Sequence, residues 1–291
     1  MRLLAAIPHF YRPSGRAADD GRRHGSTGRD PETRVKALTA CLASLHQLFG
    51  PRQCRIDLPR RTTVTANAST FATKLDAVVC TTGDFHLLGR LPIPLNVYTH
   101  KPVECEPSLL GHECHAVLRD RLGDYDDYAY LEHDIILRDP WHFAKLAWFN
   151  GHLGDLPLLQ PNRFEATIGA VVDKAYIDAD IAPEATARFQ DLSVMPELKS
   201  RVMGHDILFQ RPRNPHAGCF FLNAKQLKTL ADRPDFLDRS TEFVGPLESA
   251  ATLGVMKTFR VYKPAPESAA FFEVEHYGTS FLNLIKPGQG A

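Results

Sequence analysis

The pattern of apolar and polar positions along the chain predicts short buried strands with polar ends. Residues 3–7 and 77–80 are wholly apolar; the first run is followed by Pro8, and the second leads through a short polar stretch to Asp84. An aromatic and aliphatic run over residues 128–137 is the most marked of all. Apolar runs of this length, bounded by turn-forming residues, are typical of strands buried within a sheet.

Segments with a helical period lie between these strands. Asp30 can cap a helix that has Pro31 in its first turn, and apolar residues then recur at helical spacing as far as Gly50. Further helices are predicted over residues 107–122, 141–150 and 224–230 and from residue 246, and further strands or extended segments over residues 95–100, 156–160, 215–223 and 258–264. Residues 271–278 contain a further apolar run with His276 at its end. Residues 171–201 show no pattern that assigns a structure. The alternation predicts an α/β fold with a mixed, mostly parallel central sheet flanked by helices, in which ligands bind at the carboxyl ends of the strands.

Composition and charge narrow the class of protein. The 291 residues are 44% hydrophobic, which suffices for a sizeable core, and the formal net charge of zero gives no basic field that would favour nucleic acid. No apolar run approaches the roughly 18 residues of a membrane span, and the opening residues are too short a run for a signal peptide. The six cysteines show no pairing rhythm, so we expect reduced thiols and a cytoplasmic protein.

Two acidic residues, Glu132 and Asp134, interrupt the apolar run of residues 128–137. A desolvated carboxylate is costly unless something pairs with it. A divalent cation is the simplest partner, because hard cations favour oxygen ligands. The sequence therefore predicts a strand whose far end delivers carboxylates to a cleft. Asp124 and Asp126 form a similar pair, but they precede the strand and are expected at the opposite edge of the sheet.

The segment Glu132-His133-Asp134 resembles the acid-x-Asp signature of nucleotide-sugar-dependent glycosyltransferases of the GT-A fold, although the histidine in the middle departs from the usual pattern. The resemblance implies that Glu132 and Asp134 hold a metal ion on the donor diphosphate. Many such enzymes complete the metal site with a late histidine, and His276 matches it in order along the chain. Oxygen ligands with one imidazole suit Mn²⁺, and Mg²⁺ is the alternative.

The same resemblance implies one catalytic domain over residues 1–291, with a Rossmann-type nucleotide-binding half at about residues 1–137 and an acceptor-binding half at about residues 138–291. The donor is expected to be a nucleoside diphosphate sugar. Four residues at or near the strand exits are expected to contact its nucleotide: Pro8, Arg34, Asp84 and Glu132.

Residues 8–30 form a segment rich in Gly, Arg, Ser and Asp, and two interpretations of it are open. Its arginines could close over the donor diphosphate, because Arg pairs well with phosphate. It could equally be a solvated loop without a ligand. The arginines concerned are Arg12, Arg16, Arg22, Arg23 and Arg29.

Glu248 lies just inside a predicted helix that has Pro246 near its start. An acid there commonly complements the helix dipole. In inverting members of the resembled group, such a residue takes the acceptor proton as general base. The resemblance therefore implies a metal-dependent glycosyltransferase that moves a sugar to a hydroxyl acceptor, a glycan or a small molecule, with Glu248 as base. A retaining enzyme would need no such base.

Two other functions remain open at this point. A nucleotidyltransferase could use a similar sheet and metal, although no Gly-rich Lys/Arg signature directly follows the first strand. A non-catalytic carbohydrate-binding protein would account for the apolar strands but not for the acidic end of the central one. The sequence identifies neither the sugar, the nucleotide nor the acceptor.

Overall fold

The computed structural model describes residues 1–13 and 30–285. The strands are β1 (Arg2–Pro8), β2 (Cys54–Asp57), β3 (Thr62–Thr65), β4 (Lys74–Thr82), β5 (Thr99–Val103), β6 (Asp127–Leu131), β7 (Ile135–Ile136), β8 (Pro157–Leu159), β9 (Asn162–Ala166), β10 (Lys174–Tyr176), β11 (Glu197–Val202), β12 (His205–Gln210), β13 (Cys219–Asn223), β14 (Arg260–Pro264) and β15 (Glu273–His276). The helices are α1 (Pro31–Phe49), α2 (Leu110–Arg119), α3 (His142–Leu153), α4 (Pro183–Ala187), α5 (Ala224–Ala231) and α6 (Pro246–Thr258).

A central sheet of five strands, in the order β13-β6-β1-β4-β5, organises the fold. Strands β6, β1, β4 and β5 are parallel to one another, and β13 runs antiparallel to β6 at one edge. The predicted α/β fold with a mixed, mostly parallel central sheet is therefore confirmed. The parallel arrangement brings the carboxyl ends of β1, β4 and β6 to one edge, which is where ligands bind in sheets of this kind.

Strand β1 is buried on both faces. Side chains alternate between the two faces of a strand, so Leu3, Ala5 and Ile7 pack into the core that includes α1, whereas Leu4 and Ala6 pack into the core that includes α2 and α6. Burial on both faces requires a nearly continuous apolar run, which is the pattern the sequence shows.

Two four-stranded sheets flank the central one. The second sheet, in the order β10-β9-β15-β7, carries residues of the candidate site, and the third has the order β11-β12-β14-β8. Strands β2 and β3 form a separate hairpin.

The predicted single strand over residues 128–137 is wrong. Strand β6 ends at Leu131, the chain turns at Glu132 with the Ile135 amide donating to the Glu132 carbonyl at 3.0 Å, and β7 then joins the second sheet by pairing with β15. Three consecutive polar residues favour this turn, because their side chains cannot remain unpaired in the interior of a sheet. The acidic residues thus lie where the chain passes from one sheet to another.

Other predicted boundaries need smaller corrections. Leu95–Val97 is a 3-10 turn, and the strand expected there is β5, which begins at Thr99. The helix expected from residue 107 begins at Leu110 after a 3-10 turn. Residues 171–201 contain β10, α4 and most of β11. Over residues 1–13 and 30–285, no helix combines the length and the apolar character that a membrane span requires.

Candidate functional site

The residues expected at the strand exits lie at or just beyond the carboxyl ends of the central strands. Pro8 is half-buried at the end of β1, and Glu132 follows β6 directly. Asp84 follows β4 after one intervening glycine; it is exposed, and its side chain forms no hydrogen bond or ion pair with any described residue. Asp126 lies at the opposite edge, where it accepts from the Arg2 backbone at 2.8 Å, as its place before the strand predicted.

Glu132 is held against Gly218, which immediately precedes the neighbouring strand β13. Its backbone amide donates to the Gly218 carbonyl at 2.8 Å. Gly218 has φ +62°, and a Cβ added there would lie 2.9 Å from Glu132 Oε2 and 3.0 Å from Ile135 Cδ1. The position therefore requires glycine for both its conformation and its space. Burial, and then the charge of Asp134, raise the pKa of Glu132 to about 8, so this carboxyl carries a proton at neutral pH.

Asp134 is the charged acid of the pair. Its Oδ2 lies 3.1 Å from Arg34 Nη1 and 3.8 Å from His276 Nε2, whereas its Oδ1 is buried without a hydrogen-bond partner among the described residues. Burial alone would raise the pKa of this carboxyl, but the neighbouring His133, His276 and Arg34 lower it below its usual range. An ionised, buried oxygen without a partner is an available ligand position.

His133, the middle residue of the acidic segment, has a different role from its neighbours. Its Nε2 lies 2.9 Å from Arg34 Nη1, and its ring also hydrogen-bonds to the backbone of Pro8 and packs edge-on against His9. A guanidinium only donates, so Nε2 must be the accepting nitrogen. Burial lowers the pKa of His133 to about 4, which keeps the ring neutral. His133 thus orients Arg34, a role that the sequence did not indicate.

His276 is oriented by Glu165, a buried residue that the sequence analysis missed. Two backbone amides, one hydroxyl and one imidazole surround the Glu165 carboxyl, which is 0% exposed. The donors are Phe281 N and Leu282 N at 2.9 Å, Ser280 Oγ at 3.1 Å and His276 Nδ1 at 2.9 Å. Because Glu165 accepts from all its partners, Nδ1 of His276 carries a hydrogen, and Nε2 on the other side of the ring faces Asp134. A carboxylate behind the imidazole is the usual support of a metal-ligating histidine.

A buried cluster of charges lies behind the two acids. Asp178 accepts from Arg163 Nε at 2.7 Å and from Lys263 Nζ at 2.7 Å, and Lys263 Nζ also donates to the His216 carbonyl at 2.5 Å. Burial alone would raise the pKa of Asp178, but Lys263 and Arg163 lower it to about 2. The charge of Arg163 also acts on Glu132 and lowers the pKa of that carboxyl, against the effect of burial. No pattern in the sequence indicated this cluster.

Glu248 lies in the first turn of α6, as predicted, and faces the same region. Its Oε2 would lie 2.8 Å from a Cβ placed on Gly245, so the side chain folds back toward the residue immediately before the helix. Its charge is near enough to contribute to the raised pKa of Glu132. Glu248 forms no hydrogen bond or ion pair within residues 1–13 and 30–285.

Two of the three residues expected to hold a metal, Asp134 and His276, lie next to each other. The Oδ2 of Asp134 and the Nε2 of His276 face each other at 3.8 Å, so a carboxylate oxygen and an imidazole nitrogen lie side by side. Across the described part of the chain, no three His, Cys, Asp or Glu side chains form a group that could hold a metal ion. Mg²⁺ is commonly bound through one or two protein carboxylates together with substrate phosphates and water. The Asp134–His276 pair fits a site of that kind.

The arginines expected in residues 8–30 fall largely outside the described residues. Arg12 is described, and its guanidinium lies 4.9 Å from the centroid of the Phe85 ring, just beyond β4. The other four, Arg16, Arg22, Arg23 and Arg29, lie outside the described residues.

No protein-family model and no curated protein matches the chain. Among solved structures, it is similar to S. aureus TarS 1-349, with 11% identity over 96% of this chain and 61% of that chain and a TM-score of 0.45. The complex of TarS 1-349 with UDP-GlcNAc gives 11% identity, coverage of 98% and 62%, and a TM-score of 0.42. A CMP:2-keto-3-deoxy-manno-octonic acid synthetase complexed with CTP gives 13% identity, coverage of 91% and 92%, and a TM-score of 0.36. The chain thus spans about 61% of the length of TarS 1-349, and these likenesses are of overall fold and assign no role to any residue here.

Proposed function

We propose that this protein is a glycosyltransferase that moves a sugar from a nucleoside diphosphate sugar to a hydroxyl acceptor, with Mn²⁺ or Mg²⁺ as cofactor. The observation that carries the proposal is the pair formed by Asp134 and His276. The buried Oδ1 of Asp134 has no hydrogen-bond partner within residues 1–13 and 30–285, and the Nε2 of His276 faces the same carboxyl. Asp134 follows the carboxyl end of β6 in the mostly parallel sheet. A cation there would act as a Lewis acid that offsets charge on the departing diphosphate.

Arg34 is the proposed contact of the donor diphosphate beside that pair. Its guanidinium is largely buried and is already held by Asp134 and His133, so it is oriented before a ligand arrives. Guanidinium groups match the geometry of phosphate oxygens and gain strength where water is excluded. Pro8 and Asp84, at neighbouring strand exits, complete the expected nucleotide contacts.

Glu248 is the proposed general base of an inverting transfer. It would take the proton of the acceptor hydroxyl as the new glycosidic bond forms and the bond between sugar and diphosphate breaks. Glu132 is less suited to this role, because burial and Asp134 raise its pKa to about 8 and its proton is retained at neutral pH. Glu132 instead remains the proposed third group near the cation, which would displace that proton on binding.

The test of the proposal is nucleotide binding with and without metal. Calorimetric titration with UDP, GDP and TDP is expected to show binding that Mn²⁺ strengthens and a chelator weakens. Asp134→Asn should weaken the Mn²⁺-dependent binding at least about tenfold, because it replaces a charged ligand by a neutral amide. Asp124→Asn, in the acidic pair at the opposite edge of the sheet, is the matched control and should bind as the parent does. Binding that neither Asp134→Asn nor chelator alters would contradict the metal site.

Glu165→Gln tests whether Glu165 positions His276. The substitution keeps the shape of the side chain but turns one acceptor atom into a donor, so the hydrogen on His276 Nδ1 loses its fixed partner. We expect Mn²⁺ affinity, followed by electron paramagnetic resonance in the presence of UDP, to fall about 10–100-fold. UDP affinity without metal should change little. The control is Glu273→Gln on β15, the strand of His276, because the Glu273 carboxylate contacts Lys174 and Tyr176 instead. Parental Mn²⁺ affinity in Glu165→Gln would mean that Glu165 is purely structural.

A further inference from the structure

A concave groove of about 760 Å³ lies between helix α3, the hairpin of β11 and β12, and the segment that precedes β15. Its volume falls in the range of small-molecule sites, and its lining is largely apolar. Trp141, Trp148, Met203 and Phe271 supply its large apolar surfaces. None of these residues belongs to the candidate site described above.

The apolar side chains of the groove are unusually exposed for their type. Trp141 is 55% exposed and Met203 is 96% exposed, whereas Trp148 is partly buried with its ring centroid 5.8 Å from that of Phe271. Met203 has φ +50° at the tip of its hairpin, a conformation that favours glycine or asparagine. Large apolar residues in a concave surface indicate that something covers them.

The charges of the groove are predominantly negative. Lys145 is already engaged, because its Nζ lies 2.6 Å from Asp139 Oδ2 and donates to the Phe271 carbonyl at 2.7 Å. Asp206 and Glu267 also line the groove and form no ion pair with any described residue. Both carboxylates are exposed and have no cationic partner among the described residues, and His205 also lines the groove.

Arg201 stands opposite Asp206 on the neighbouring strand, but its Nε donates to the Gly204 carbonyl at 3.2 Å instead. It therefore leaves the Asp206 carboxylate available to a ligand.

The groove is close to the candidate site along the chain but separate from it. Phe271 precedes His276 by five positions, so at roughly 3.3 Å per residue their Cα atoms are no more than about 17 Å apart. Trp141 likewise lies only five positions after the end of β7, the strand that follows Asp134. A ligand in the groove would thus contact residues on both chain segments that form the candidate site.

We propose that this groove binds a small organic cation that has an aromatic or other apolar body. The apolar body would lie against Trp141 and Met203, and the positive group would be held by Asp206, Glu267 and the aromatic faces, which attract cations. The groove is concave and its carboxylates are unpaired, and both features suit a small cationic ligand better than a protein partner with a flat surface. This binding does not depend on the proposed transferase activity.

Tryptophan fluorescence tests the proposal directly, because the chain has two tryptophans and both line the groove. The probes are 2-phenylethylamine, 2-phenylethanol and phenylacetate, which share an aromatic body and differ in charge. We expect a saturable change in emission with the amine, at least fivefold weaker affinity for the alcohol, and no binding of the anion. Ala144→Met, at an exposed helical position of the lining, should abolish the change by filling the groove.

The charge part of the proposal needs its own variants. Asp206→Asn with Glu267→Gln should remove the preference for the amine and leave the affinity for the alcohol unchanged. Asp120→Asn with Glu184→Gln, exposed acids outside the groove, should behave as the parent does. Equal affinity for the three probes, or no saturable change, would overturn the proposal. An emission change on dilution without any probe would assign the groove to a second copy of the chain and would equally overturn it.

Discussion

Glu248→Gln is expected to lower kcat for sugar transfer by about 10²–10⁴-fold, while nucleoside diphosphate affinity stays near the parental value. Glutamine keeps the shape and hydrogen-bonding reach of the side chain but removes its basicity. Glu248 forms no hydrogen bond or ion pair with the described residues, so the substitution breaks no contact that holds the fold. The measurement is single-turnover transfer at saturating donor and Mn²⁺ with a competent acceptor.

An acid that only complements the dipole of α6 would give a different result. Its loss would lower the free energy of unfolding by roughly 0.3–1 kcal/mol and leave turnover nearly normal. Glu184→Gln is the matched control, because Glu184 is the acid in the first turn of α4 and has no proposed catalytic role. A near-parental kcat in Glu248→Gln would remove this residue from the mechanism and leave a retaining route or another base.

Asp178→Asn is expected to lower the free energy of unfolding by about 3–5 kcal/mol, because it leaves two buried cations without their shared anion. The side chains of Arg163, Asp178 and Lys263 are 10%, 5% and 4% exposed, so water cannot replace the lost charge. Urea denaturation followed by circular dichroism measures the change. Asp180→Asn is the control, since Asp180 forms an exposed pair with Arg213 and should change the free energy of unfolding by less than about 0.5 kcal/mol.

The pH dependence of this difference follows from the lowered pKa of Asp178. A carboxyl whose pKa falls from 3.8 to about 2 on folding stabilises the protein fully above pH 3.8, and that stabilisation is lost as the pH falls toward 2. The difference in unfolding free energy between parent and Asp178→Asn should therefore be the same at pH 5 and pH 8. A difference that shrinks between pH 8 and pH 5 would show that Asp178 is not the charged centre of the cluster.

Local signals in the sequence account for the central sheet and for α1. The helix begins and ends where predicted because Asp30, Pro31 and Gly50 act on their immediate neighbours; the Asp30 side chain, for example, accepts from the Glu32 amide. Strands β1 and β4 were recognisable because burial on both faces demands continuous apolar residues. Arg34 and His276 both lie beside Asp134, and the sequence related these residues only through the order of the elements along the chain.

The features that the sequence did not indicate depend on distant partners. Glu165 lies 111 positions from His276, and nothing in the pattern of β9 marks its carboxylate as fully buried. Asp178 belongs to a segment without assignable pattern, because Arg163 and Lys263 rather than its neighbours determine its surroundings. The turn after β6 was missed for the same reason: β7 is fixed by pairing with β15, far along the chain.

The chain passes from the central sheet to the second sheet at Glu132–Asp134. This crossing has a consequence for how the two sheets open locally. Arg34 belongs to a helix packed on the central sheet, whereas His276 ends a strand of the second sheet. Proteins open locally in cooperative units that often coincide with such supersecondary structures. A ligand that needs Arg34, Asp134 and His276 together binds only when both units are closed, so its binding energy is added to the cost of opening either one. The amides of β15 should then exchange with solvent more slowly as the occupancy of the site rises. Their exchange rates would therefore measure ligand binding.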